Sequence, residues 1–291
     1  MPPFAIALVL VSTFLHAGWN LLVGAQRTSY TMLRVVVTIA VVGIGPALIA
    51  EWWGPALPRQ IWGYVILTGI SLAVYYLGLA KGYQSGHFTV VYPVARALPI
   101  LLVAVYDLFR GDAPSALAWL GMGLVSVGCM VMPQKSLKNF NLSDYRDPAM
   151  FWVVVAAAGT VGYTVVDHAA ADLLPSGPAA AARYGIFEFV SAAIFYWLIL
   201  KILREPTGQF DGLRSWQVPA LGAAGLFGAY WLVLWSYQLS AQASYVVALR
   251  QFSIVVGVII GALIFKESAP VLRITAAFGI AAGIALIALA G

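Results

Sequence analysis

The sequence predicts an all-α, polytopic membrane protein of ten transmembrane helices, arranged as two inverted five-helix repeats. Three observations lead there. The first is composition: of 291 residues, 62% are apolar and 9% charged, with a mean hydropathy of +0.90, which leaves too little polar surface for a water-soluble globule of that length. The second is spacing, because runs of about 20 apolar residues, enough to cross a hydrocarbon core of roughly 30 Å, can be drawn ten times. The third is internal repetition. Tyr83-Gln84 and Arg96 recur as Tyr237-Gln238 and Arg250 at an offset of 154 residues, and Phe109-Arg110 with Pro114 recur as Phe265-Lys266 with Pro270 at an offset of 156.

Taken in order, the runs of the first half span 3–24, 31–50, 61–80, 88–108 and 115–133. Those of the second half span 149–170, 180–202, 216–238, 243–265 and 270–290. Hydrocarbon offers backbone groups no water, so each run must satisfy its own hydrogen bonds as a helix, and strands alternating apolar and polar residues in the manner of a barrel are absent. The first run begins almost at Met1, lacks a basic leader, and places His16, Trp19 and Asn20 where a cleavage site would fall, so it is expected to be retained. The single Cys129 has no partner for an internal disulfide and reads as an inert packing residue.

These runs divide the chain into a first repeat at 1–133, a polar linker at 134–147 and a second repeat at 148–291. The linker carries Lys135, Lys138, Asn139, Asn141, Asp144 and Arg146. Five helices per copy is an odd number, so the second copy starts on the opposite face and is inverted relative to the first. Most basic residues, from Arg27 and Lys81 to Lys266, flank the odd-to-even connections, against Arg59, Arg110 and Arg183 on the other side. By the positive-inside rule the odd-to-even connections are cytoplasmic and both termini lie outside an inner cell membrane. The net charge of +5 is scattered over helix ends with no basic face, which fits membrane orientation and predicts no nucleic-acid partner.

Internal symmetry between membrane halves marks secondary carriers, whose substrate site lies near mid-membrane where the halves meet. Arg96 and Arg250 fall at equivalent depths in the two copies, where a guanidinium is costly unless it meets water or an anion. Each is a candidate anchor for a substrate carboxylate, with an ion pair or a carbonyl clamp between helices as the structural alternative. Pro93 and Pro99 bracket Arg96 and predict a kink there.

Ser12, His16 and Asn20 share one face of the first helix, with Trp19 beside it, and Thr160, Tyr163, Thr164 and Asp167 form a similar stripe on the sixth. His16 is a candidate proton carrier or hydrogen-bonding group, while Asp167 sits close enough to a helix end that solvent exposure competes. Tyr76 and Tyr230 are repeat equivalents, and with Tyr92 and Trp235 they suggest an aromatic cavity wall; ordinary packing is the alternative for each. Glu188 and Asp107 could take up a coupling proton or pair with Arg34 or Arg183. Glycines at Gly78/Gly82, Gly257/Gly261 and Gly279/Gly283 are spaced for close helix contact.

The sequence contains no HExxH, GxSxG or Walker pattern, and His16, His87 and His168 are too dispersed to suggest a metal. No enzymatic activity, cofactor or metal is expected, and the energy for transport should come from a gradient or from exchange.

Phe265-Lys266-Glu267 before Pro270 and the glycine-bearing last helix, His16-Ala17-Gly18-Trp19-Asn20, and Val91-Tyr92-Pro93 together resemble the drug/metabolite transporter superfamily, in its form with two EamA-type repeats. The resemblance covers nearly the whole chain, although the first copy reads Phe109-Arg110-Gly111 and lacks the acidic position. Within the superfamily the layout is most similar to bacterial aromatic amino acid exporters of the YddG type. That resemblance implies a central cavity between inverted repeats, alternating access, and export of aromatic amino acids or related metabolites. His16, Trp19, Asn20, Tyr76, Tyr92, Arg96, Tyr163, Trp235 and Arg250 are the candidate substrate contacts, chosen by depth, helical face and symmetry. The expected partners are a small-molecule substrate, the lipid bilayer and, for coupling, protons. Other amino acids, nucleosides or drugs are alternative substrates, and a channel or an intramembrane enzyme are the alternative classes.

Overall fold

The computed structural model describes residues 1–24, 28–85, 88–132, 134, 149–208, 212–263 and 271–290. The linker proposed at 134–147 and the Phe265–Pro270 motif therefore lie outside the described residues, apart from Gln134. Among the described residues the chain is all-α: α1 Pro3–Gly24, α2 Ser29–Trp53, α3 Ile61–Ser85, α4 Phe88–Arg110, α5 Ala116–Val131, α6 Ala149–Ala171, α7 Pro178–Ile202, a 3-10 turn Leu213–Trp216 leading into α8 Gln217–Tyr237, α9 Ala243–Leu249, α10 Phe252–Leu263 and α11 Val271–Ala290.

Among the described residues, seven helical segments are long and apolar enough to cross a membrane: Pro3–Asn20, Ser29–Trp53, Ile61–Gln84, Ala149–Ala171, Pro178–Ile202, Leu213–Tyr237 and Val271–Ala290. Of the others, α5 has 16 residues, α4 carries Arg96, Asp107 and Arg110, and the expected ninth run is cut into α9 and α10. The outside of the bundle is apolar. Val41, Val42, Ile202 and Phe278 are exposed there, with Trp52, Trp53 and Phe109 at helix ends where interfacial aromatics belong. Such a surface would drive aggregation in water and is at home in lipid, so this is a membrane-embedded helical protein.

Helix packing is reciprocal. α3 lies along α6 and α1 along α8; α3 also meets α7 while α2 meets α8; and α4 packs on α6 while α1 packs on α9 and α10. α5 and α11 pack on each other, as do α2 and α7. The closest approaches use glycine. A Cβ on Gly78 would collide with the Ala156 backbone nitrogen, one on Gly159 would sit 2.5 Å from the Tyr75 nitrogen, and Gly121 and Gly283 face each other's carbonyl oxygens. Gly257 and Gly279, by contrast, have open space beside them, so the three predicted glycine pairs are not equivalent seams.

The end of the bundle where α2 finishes and α7 and α9 begin is laced by polar contacts. Arg183 donates to the Ala50 and Pro55 carbonyls and bridges Glu51; Trp231 donates to the Pro178 carbonyl; and the Gly177 N–H donates to Gln238. Arg110 bridges Asp172 at 2.8 Å, and His168 Nε2 donates to the Ser240 carbonyl.

Candidate functional site

The interruption expected at Pro93 and Pro99 is not found, and one that the sequence did not suggest lies at Arg250 and Gln251. α4 runs unbroken through Pro93 and Pro99, whereas the helix after Gln242 is interrupted at Arg250 and Gln251. There the bonding tightens to three-residue steps, Gln251 N–H to Ala248 O, Ser253 N–H to Arg250 O and Ile254 N–H to Gln251 O. Neither a proline nor a glycine stands at the break. Instead the Gln251 side chain reaches back to the Val247 carbonyl, and Arg96 donates through one terminal nitrogen to the Arg250 carbonyl at 3.0 Å and through Nε to Gln251 Oε1 at 2.6 Å. A long side chain from α4 thus clamps the interruption, satisfying backbone and side-chain oxygens that hydrocarbon could not.

Arg250 itself is buried. One terminal nitrogen lies 3.0 Å from His16 Nε2, and its guanidinium stands 5.5 Å from the ring centre of Tyr230 and 6.0 Å from that of Tyr163. Arginine can only donate, so His16 Nε2 accepts and the imidazole is neutral, with its proton on Nδ1. In this arrangement His16 holds Arg250 in place. Arg250 Nε has no hydrogen-bond partner, and among the described residues no salt bridge reaches Arg250.

Arg96, Arg250 and Gln251 border a narrow cleft with room for about one water molecule in this state, whose walls also include Tyr75, Tyr163 and Thr160. Nearby, among the described residues, His16 Nδ1 and Asn20 Oδ1 are buried without a partner, while Thr164 lies within hydrogen-bond reach of the Tyr237 hydroxyl. Buried polar groups are nearly always bonded, so these two atoms point to water or a ligand.

Of the nine candidate contacts, Arg96, Tyr163 and Arg250 border the cleft, and His16 joins them through Arg250. Asn20 folds onto the His16 carbonyl. Trp19 is buried against Gly225 of α8, Tyr76 packs on Tyr75 and Tyr196, and Trp235 meets Phe4 edge-on at 5.1 Å, so these three sit behind or beside the wall. The Tyr92 side chain lies outside the described residues. Gln251 and Tyr75 were not among the candidate contacts, and Thr160 was named only as part of the polar stripe on α6. A polar Arg-Gln pair inside an apolar run was the signal for Gln251, and one helical turn from Tyr163 was the signal for Thr160.

The acidic residues correct three expectations. Asp167 is not exposed near a helix end. It is buried and accepts from the hydroxyls of Thr68, Tyr184 (2.7 Å) and Tyr230. Asp107 pairs with neither Arg34 nor Arg183; it caps α9 by accepting from the Ala243 and Ser244 N–H groups at 3.1 and 2.9 Å. Glu188 is likewise unpaired with arginine, because Arg183 is committed to Glu51 and the 50–55 carbonyls, and its carboxyl neighbour is Asp167.

No family model matches the sequence, and no curated protein does. The fold does have relatives among solved structures: one crystal structure aligns over 98% of this chain and 97% of its own with a TM-score of 0.71, at 17% identity. At that identity the likeness establishes a shared architecture over the full chain, and nothing about ligand or activity.

Proposed function

We propose that this protein is a secondary transporter of the drug/metabolite transporter superfamily, which exports aromatic amino acids across an inner membrane by alternating access. The observation that carries the reading is Arg250, a buried guanidinium that no carboxylate reaches among the described residues, held at a helix interruption beside a cleft with aromatic walls. A buried charge in that state stabilises an incoming anion, and a carboxylate would take the free Nε while the rings of Tyr75 and Tyr163 stack on an aromatic body. The reciprocal helix pairing supports the remainder: α3 on α6 repeating as α1 on α8 is what a two-fold axis in the membrane plane would produce, with repeats at 1–133 and 148–291, ten crossings, and α9 with α10 as one broken span. With the basic residues inside, the laced end faces outward, so solute enters from the cytoplasm and leaves when those contacts part. No catalytic role or cofactor is part of this reading.

Thermal unfolding of the purified protein with phenylalanine, 3-phenylpropionate and 2-phenylethylamine tests it. Both carboxylates should stabilise, by about 2.7 kcal/mol at a hundred times Kd, and the amine should not. Equal stabilisation by the amine, or an unchanged response to phenylalanine in Arg250→Gln, would overturn the assignment.

A further inference from the structure

Behind the cleft lies a second polar centre that the substrate reading does not use. Asp167 on α6 and Glu188 on α7 are both buried, at 1% and 0% exposure, and their carboxyl groups are neighbours. Their hydrogen bonding is unequal. Asp167 receives three hydroxyl donors, from Thr68 on α3, Tyr184 on α7 and Tyr230 on α8. No hydroxyl or N–H among the described residues donates to Glu188, whose carboxyl group lies within hydrogen-bond reach of Asp167, and among the described residues no salt bridge reaches either acid.

Three hydroxyls directed at one carboxyl group favour its ionised, acceptor-only form over the neutral acid. Two adjacent carboxylates in a dry interior repel each other, so the second holds its proton at neutral pH and gives it up only at higher pH. Glu188, with no donor aimed at it, is the member that carries the proton. A metal ion would need several free oxygens, and those of Asp167 are already taken by hydroxyls.

We propose that Asp167 and Glu188 form a proton-binding pair whose protonation is linked, through Tyr230, to carboxylate binding at Arg250. The linking contact is direct, because the Tyr230 hydroxyl bonds Asp167 while the face of its ring lies against the Arg250 guanidinium. The sign follows from charge. A proton on the pair leaves one negative charge behind Tyr230 and Arg250 free to hold a substrate anion. Loss of the proton adds a second negative charge, which competes with substrate for Arg250. Proton and carboxylate therefore favour each other's binding and travel in the same direction, so an exported acid leaves with a proton and down its own gradient. The other titratable groups facing the pair are Tyr76 on α3, Tyr184 on α7, Tyr230 and Tyr237 on α8. All are phenols and carry no charge in the neutral pH range.

Proton binding by the pair does not depend on the transporter reading, whereas its linkage to substrate does, and two measurements separate them. In ligand-free protein, infrared pH titration should show a protonated carboxylic acid band that disappears in Glu188→Gln and that Asp167→Asn alters. Glutamine mimics the neutral acid, so this variant keeps the packing. In wild-type protein, phenylalanine binding in weak buffer should draw in a proton, and Kd should rise by up to about tenfold per pH unit above the pair's titration. Glu188→Gln should bind with a pH-independent Kd and no proton uptake. An infrared band unaffected by Glu188→Gln overturns the pair itself. An intact band with no proton uptake, or with no phenylalanine binding by wild type, leaves the pair standing and overturns its linkage to an aromatic carboxylate.

Discussion

Arg250 can be buried because its environment spreads the cost over four groups. His16 accepts one N–H, two tyrosine rings receive the cation, and Arg96 holds the carbonyl that the helix break exposes. Of the two structural alternatives left open by the sequence, Arg96 performs one, since it is a carbonyl clamp as well as a wall of the cleft. Asp107 shows how far a residue's role depends on its partner. From the sequence it was a carboxylate near a helix end; in the fold it supplies the cap for a seven-residue helix that has no side-chain cap of its own. Asp107→Ala leaves two buried N–H donors unpaired and is expected to destabilise by about 1–3 kcal/mol, visible as a lower Tm of the purified protein. A wild-type Tm for that variant would mean that the cap contributes nothing. Neither depth nor direction was fully legible at this scale. Tyr163, well inside α6, borders the cleft, whereas Trp235 sits near the end of α8 and rests on Phe4; α8 is apolar all round and gave no preferred face.

At the scale of elements, apolar length alone located the helices, and the observed α1, α3, α6 and α11 begin at or next to the expected residues. The interruption between α9 and α10 escaped because side chains create it. Arg96 and Gln251 come from segments 155 residues apart, and no local propensity encodes their meeting. Glycine spacing was similarly ambiguous: Gly78 and Gly283 are true close approaches, but Gly159 and Gly121, which complete those seams from the facing helices, belong to no predicted pair. Contact geometry separates the two kinds. Gly159→Leu should force α3 from α6 and abolish monodisperse protein, whereas Gly257→Ala, with open space beside it, should purify with a Tm near wild type. Comparable behaviour of the two variants in size-exclusion chromatography would contradict the packing described.

For the whole molecule, the apolar exterior and the polar interior are two aspects of one solvent problem. Lipid takes the Val41, Val42 and Phe278 surface, and the bundle centre gathers the groups lipid rejects: Arg96, Arg250, His16, Asp167 and Glu188. Composition revealed the first aspect directly. The second was half visible, because repeat symmetry picked out both arginines while the Asp167–Glu188 centre depends on the juxtaposition of α6 and α7. A bundle laced at one end by Arg110–Asp172 and Arg183–Glu51, with an arginine midway along it that meets no carboxylate among the described residues, is compatible with the alternating access proposed for it. Counterflow tests this most directly. Proteoliposomes preloaded with unlabelled phenylalanine should accumulate labelled phenylalanine transiently and saturably, and the Arg96→Ala, Arg250→Ala double variant, reconstituted to the same density, should accumulate none. Equal accumulation by the double variant, or single-channel currents in place of saturable exchange, would contradict the account.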